Sequence, residues 1–248
     1  GNRAKFVSTK TEKLMAQNDG QVETPVWFTP FPADPANYGQ MDFIEPEGSE
    51  GMARPLSNRG VRFPPEHMPL CFRDMSGRYG ADFKRFMPDF FMSRHVVLTV
   101  SQKMHDVLVQ FDMGDNQLTE LPFVAHDRVT PRPERFWLLA VAEKKSGLDV
   151  EASAVGPTVV YENGTARLLP NTLTLHPTTN DYMYNSIMEA QGGGKIALSS
   201  SVLDGADLWR DPLIGPELLF VSDRLRQAIK AAKIKAKNMP FFPVTLVP

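Results

Sequence analysis

The chain has 248 residues, 42% apolar and 23% charged, which is ordinary for a globular protein and enough for one large domain or two small ones sharing a core. A net charge of −2 and a pI near 6.2 argue against a domain built around nucleic acid. The single cysteine, Cys71, has no partner for an internal disulfide, no apolar run approaches the roughly 20 residues that span a bilayer, and no signal peptide is evident, so a cytoplasmic location away from membranes is expected.

Residues 1–81 read as a Pro/Gly-rich N-terminal region of short strands and loops. Prolines at 25, 30, 32, 35, 46, 55, 64, 65 and 69 fix φ and remove N–H donors, so long helices and central strands are not expected there. Val26–Thr29 is one short strand. From residue 82 to 248 the pattern becomes regular, with an α+β fold expected: a mixed sheet and two similar modules in one globular unit.

The first module spans about residues 95–124. Val96–Val100 is a β-branched apolar run that predicts a strand buried on both faces. Ser101 stands at a helix N-cap, Met104, Val107, Leu108 and Phe111 form one helical stripe, and Gly114 is the expected stop. "LTELPFV" (118–124) then returns as an extended segment. Phe136–Ala142 is a further apolar strand. Asn163-Gly164, between two extended runs, predicts a two-residue hairpin turn, a better reading of "NGT" than a glycosylation site in a chain with no sign of secretion. A short helix is expected near 183–190.

The second module spans about residues 217–246. Leu219–Val221 lead into Ser222, and Leu225, Ala228, Ile229 and Ala232 repeat the stripe at the offsets of the first module. "MPFFPV" (239–244) takes the place of "ELPFV". The repeated plan of strand, serine cap, helix and strand suggests a duplicated or pseudo-symmetric arrangement, although a capped amphipathic helix after a strand is also a common local pattern.

Motifs for catalysis are weak. "QGGGKIA" (191–197) fails as a phosphate loop because Glu189 and Ile196 stand where a Gly and a Ser or Thr are needed. Gly192, Gly194 and Ala197 fit the looser dinucleotide pattern, but no strand precedes them. The histidines (67, 95, 105, 126 and 176) show no zinc spacing, and His105 reads as a helix-surface residue. His126-Asp127 reads as part of a turn, and Cys71 as a structural thiol. Tyr182 and Tyr184 suit a core edge or an interface anchor. No cofactor, metal or catalytic residue is expected. Arg224, Arg226, Lys230, Lys233, Lys235 and Lys237 read as a solvated face that complements a helix C-terminus.

The order of these segments resembles the immunity protein eleven family, a former domain of unknown function from bacterial polymorphic-toxin and type VI secretion systems. The resemblance runs over roughly residues 82–248. It rests on the Ser–helix modules at 98–111 and 219–234, the apolar strand followed by Leu148-Asp149 and Ser153, and the closing Phe-Pro-Val. It implies a non-enzymatic protein that binds and neutralises a cognate toxin. For such a role, the stretch 31–53 is the candidate partner-binding surface. It holds Asp34, Asp42, Glu45, Glu47 and Glu50 without a Lys or Arg, together with Tyr38 and Phe43 as aromatic anchors. Two alternatives stand beside it: an enzyme using His176 or Asp181 in the 171–210 region, and a structural or regulatory accessory of a secretion system.

Overall fold

The computed structural model describes residues 25–33, 39–75, 87–93, 97–153, 158–162, 165–169, 174–175, 182–183, 196–216 and 218–248. Several sequence readings lie outside them: Asp34, Tyr38, His95, Val96, the Asn163-Gly164 pair, His176, Asp181, Tyr184, the expected helix beyond Met183, and the glycines of the 191–197 loop. In chain order the first elements are β1 (Val26–Thr29), β2 (Met41–Ile44), helix α1 (Ala53–Arg59), β3 (Cys71–Asp74), β4 (Phe90–Met92), β5 (Leu98–Ser101), helix α2 (Gln102–Leu108), β6 (Gln117–Leu121), β7 (Phe123–Val124) and β8 (Phe136–Ala140). There follow β9 (Thr158–Glu162), β10 (Thr165–Leu169), β11 (Thr174–Leu175), β12 (Tyr182–Met183), β13 (Ala197–Ser199), β14 (Leu208–Trp209), β15 (Leu219–Ser222), helix α3 (Asp223–Ala231), β16 (Phe242–Pro243) and β17 (Thr245–Val247). The fold is mixed α+β.

Two four-stranded antiparallel sheets dominate, in the orders β4-β5-β8-β6 and β14-β15-β1-β16. They correspond strand for strand. Val100 on β5 pairs with Phe90 on one side and Trp137 on the other, and Val221 on β15 pairs with Leu208 and Trp27. The serine after each valine caps the helix that follows: Ser101 Oγ accepts the Met104 N–H at 3.4 Å, and Ser222 Oγ accepts the Leu225 N–H at 3.2 Å. The expected duplication is therefore visible in three dimensions, with one permutation. The third strand of the first sheet, β8, follows its module in sequence. Its counterpart in the second sheet, β1, comes from near the start of the chain.

That placement corrects the expectation of no central strand among residues 19–70. Pro25 and Pro30 flank β1 and do not interrupt it, so all four of its N–H groups are free to pair on both sides. Helix α2 also ends earlier than expected, at Leu108 with Val109 as its cap, before Gly114. Gln110 and Phe111 make tighter i→i−3 bonds, after which Asp112 ties the chain to Asp207. In the second sheet β16 pairs Pro243 with Trp27, the register held by Glu120 opposite Trp137 in the first. So 242–243 corresponds to 119–120, a few residues from the alignment read in the sequence.

Side chains alternate with period two. Trp137 and Leu139 on β8, Leu219 and Val221 on β15, and Trp27 on β1 face a central core shared with the buried stripes of both helices, Met104, Val107, Leu108, Leu225 and Ile229. Phe136 and Leu138 face the other way, into a second core closed by α1 and the β2-β3-β7 sheet. There Phe136 meets Phe72, Phe91 and Phe123 edge-on. Phe28 and Phe220 face a third core, which takes in Leu198 of β13 and Val244 beside β17. The inner strands of both main sheets, β5 and β8 in the first and β15 and β1 in the second, are thus buried on both faces. Each fully buried Leu, Ile or Phe contributes about 1.5–3 kcal/mol, so the three clusters carry most of the stability.

The hairpin read around Asn163-Gly164 is formed: β9 and β10 pair antiparallel from Thr158↔Leu169 to Glu162↔Thr165. Met183 pairs with Thr174 in a short strand ladder where a helix was expected. Leu148, Asp149 and Ser153 brace β13: Leu148 bridges Leu198, and Ser153 Oγ accepts the Ala197 N–H at 3.0 Å.

Candidate interaction surface

The acidic stretch at 31–53 divides into structural and exposed parts. Asp42 is buried and pairs with Arg73 at 3.0 Å. Phe43 lies in the second core, and Phe31 is fully buried, stacked on Phe90 at 4.2 Å. Glu45 turns back to accept N–H bonds from Gly51 at 2.6 Å and Ala53 at 2.9 Å, satisfying donors at the start of α1. Glu47 and Glu50 are exposed, on a turn shaped by Gly48 and Gly51 at φ 80° and 81°. Of the five predicted residues that are described, only Glu47 and Glu50 are exposed. Asp42, Phe43 and Glu45 hold the fold, and Asp34 and Tyr38 lie outside the described residues.

A second candidate emerges where α2 meets the first sheet. The residue four past each capping serine lies against the tryptophan of its sheet. In the second sheet this is Arg226, its guanidinium 3.9 Å above the Trp27 ring and held by Asp223 at 2.8 Å. That side chain is 8% exposed, which corrects its reading as part of a solvated basic face. In the first sheet it is His105, stacked on Trp137 at 4.2 Å with 21° between the rings. Its Nδ1 lies 3.2 Å from Asp106 Oδ1, and this hydrogen bond, helped by Gln102, holds the Asp106 carboxyl below the usual aspartate range.

The same site carries a further network of charged side chains. Arg135 lies 5.0 Å from the Trp137 centroid, donates to Glu120 at 2.6 and 2.7 Å, and donates to Gln102 Oε1 at 2.7 Å. The fork of Arg135 on Glu120 lowers that carboxyl's pKa and raises its own. Arg135 and Glu120 are 56% and 43% exposed. Prolines occupy the corresponding positions of the second sheet: Pro25 just before β1, and Pro243 opposite Trp27.

Residues 125–135, between β7 and β8, form an exposed loop above this network. Asp127 organises its tip, accepting the N–H groups of Val129 at 3.0 Å and Thr130 at 2.9 Å and the Thr130 hydroxyl. Those bonds, the Thr130 hydroxyl first, bring its pKa from an ordinary 3.8 to about 2. Ala125 donates to the Thr130 carbonyl at 2.8 Å, and Arg132 donates to that of Phe123 at 2.8 Å. Arg128 is held at φ 71°, the left-handed region, and Val129 is 76% exposed. An open groove of about 390 Å³ runs between Glu120–Phe123 and Arg132–Arg135.

The remaining candidates are structural. Burial pushes the Cys71 thiol pKa up against the opposing pull of Arg73, away from the thiolate a nucleophile needs. Arg224 donates from Nε and Nη2 to Asp207 and leaves the basic cluster as an ion-pair partner. His67 Nδ1 meets Ser49 Oγ at 2.8 Å. Among the described residues no group of three or more His, Cys, Asp or Glu is placed to hold a metal, and no helix is long and apolar enough to cross a membrane. Sequence reasoning placed His105 correctly on the helix but missed its stack. The available signal was phase, because 104, 105 and 108 share one helical face.

Two antiparallel sheets, each bearing a serine-capped helix on a shared core, define a duplicated α+β scaffold with a polar surface on its first half. The chain belongs to the Imm11 immunity protein family, whose family model matches residues 39–244. The match begins within the Pro/Gly-rich region and leaves β1 outside. No curated protein matches the chain.

Proposed function

We propose that this chain is an immunity protein that binds and neutralises a cognate bacterial toxin in the cytoplasm, by protein–protein contact and without catalysis. The observation that carries the reading is the family match across residues 39–244. The three apolar cores support it physically, because they hold surface loops rigidly and so lower the ordering cost of binding. From the predicted acidic stretch, Glu47 and Glu50 contribute long-range attraction toward a basic toxin, which acts on association rate and needs no buried contact. Such proteins accompany polymorphic toxins and type VI secretion, and the toxin is sought in the reading frame beside this one.

The test is co-expression with the toxin domain encoded by that frame. The reading predicts that cells survive only when both proteins are made, and that the two co-purify as a stoichiometric complex. Toxicity that persists at equal expression, with no complex recovered, contradicts it.

A further inference from the structure

We propose that the toxin docks on one particular face of the first sheet–helix unit: the tip of the 125–135 loop, the groove behind it and the partly exposed His105 that covers Trp137. This rests on the toxin-binding reading above and names the surface that carries it. The duplication supplies an internal comparison. Features that both halves share serve the scaffold: the serine caps, the aspartate that each serine bonds, and a tryptophan covered by the residue four past the cap. Features present in one half only are free of that duty. In the second half the covered tryptophan is sealed, with Arg226 buried on it and prolines at both flanking positions. In the first half the tryptophan is as deeply buried, but its cover His105 is 23% exposed and the prolines are replaced by the exposed Arg135–Glu120 fork.

Three observations make this face a docking surface for a folded protein. The tip is pre-organised, since Asp127 ties the backbone of Val129 and Thr130 and the ladder bond between Ala125 and Thr130 closes the loop below it. Binding therefore loses little loop entropy there. The tip presents apolar surface, because Val129 is 76% exposed, and it keeps Arg128 at φ 71° although a glycine would relieve that backbone. Arg128 and Val129 are held in this turn through their backbone N–H groups, which donate to the Ala125 carbonyl and to Asp127 at 3.0 Å each, while both residues stay exposed. The charges balance across 120–135, with Arg128, Arg132 and Arg135 against Glu120, Asp127 and Glu134. A nucleic acid or an anionic membrane would call for an excess of basic residues. A balanced polar rim around an aromatic stack and an apolar tip is the composition of a protein–protein contact. On the toxin side it calls for an apolar depression to receive Val129, with a carboxylate within reach of Arg128.

The test uses the full chain and the toxin domain encoded beside it, purified in a catalytically inactivated form, with binding followed by surface plasmon resonance. Val129→Asp should raise the dissociation rate by about tenfold or more, the loss expected of an anchor residue. Arg128→Gly should also raise it, while leaving the melting temperature unchanged or higher because backbone strain is removed. That opposition between stability and binding is what a merely structural loop would not show. Arg135→Ala should act in the same direction on dissociation. Glu47→Lys with Glu50→Lys should slow association and leave dissociation unchanged. If wild type binds and Val129→Asp and Arg128→Gly dissociate at its rate, the surface is wrong while the function stands. If wild type does not bind this domain, the toxin-binding reading is overturned, and the surface with it.

Discussion

Two aspartates, Asp207 buried and Asp89 half-buried, join the halves of this molecule residue by residue. Asp89 takes the Ser101 hydroxyl at 2.8 Å and the Lys235 N–H at 2.8 Å, so the first half grips the chain that leaves α3. Asp207 takes the Ser222 hydroxyl and, at 3.0 Å, the Asp112 N–H, so the second half grips the chain that leaves α2. Burial alone would raise the Asp207 pKa, but Arg224, Ser222 and the Asp112 N–H together hold it below the ordinary value. A carboxyl depressed in the fold contributes stability above its unfolded value, and that contribution is lost as pH falls through the folded one. Unfolding free energy by urea titration should therefore drop below about pH 4, and Asp207→Asn should make that fall shallower. At neutral pH Asp207→Ala should cost about 3 kcal/mol, because it strands a buried N–H and hydroxyl, with a smaller loss for the half-buried Asp89→Ala. A variant within about 0.5 kcal/mol of wild type would show that the grip is not structural. The serines were legible in the sequence as caps. The aspartates were not, because each lies more than ten residues upstream of its serine with no local pattern to mark it. Lys233, at φ 51° just past α3, offers a stabilising change. Lys233→Gly should gain about 0.5–1 kcal/mol by accepting that backbone without strain.

At the scale of elements, the sequence shows what local period and punctuation can carry. The caps and stripes of α2 and α3 were legible because each is encoded within about ten residues. Ile229, on the α3 stripe, is 4% exposed in the central core, so Ile229→Asp should lose about 3 kcal/mol. Lys233→Asp, on an exposed side chain, should be nearly neutral, and equal melting temperatures for the two would contradict the helix phase. The role of β1 was not legible, because it is a matter of pairing: its partners β15 and β16 stand at the far end of the chain. Proline density correctly discouraged long helices, but it hid a central strand that fits between two prolines. The acidic stretch divides into structural and exposed parts for a related reason. Exposure was inferred from composition, whereas Asp42 found Arg73 and Glu45 found free N–H groups at α1. Deletion of residues 1–29 should unfold the protein by circular dichroism, since it removes Trp27 and Phe28 from two cores and exposes two strand edges. A folded truncation with an unchanged melting temperature would mean that β1 is dispensable.

At the scale of the whole molecule, the described residues are built around two unequal copies of one unit, and in our proposal the inequality gives them a working side. The second copy is sealed by Arg226 and its prolines and braced by β13 and β17. The first copy buries its tryptophan as deeply but covers it with a partly exposed His105, next to the exposed Arg135–Glu120 fork and an organised, exposed loop. A protein that works by occupying another protein needs such a side and little motion behind it. Hydrogen–deuterium exchange of this chain, alone and with the inactivated toxin domain encoded beside it, tests that account most directly. Slowed exchange concentrated in residues 102–106 and 118–135, with the amides of α3 unchanged, is the predicted result. Protection that appears elsewhere and spares those segments, or no protection at all at saturating toxin domain, would contradict it.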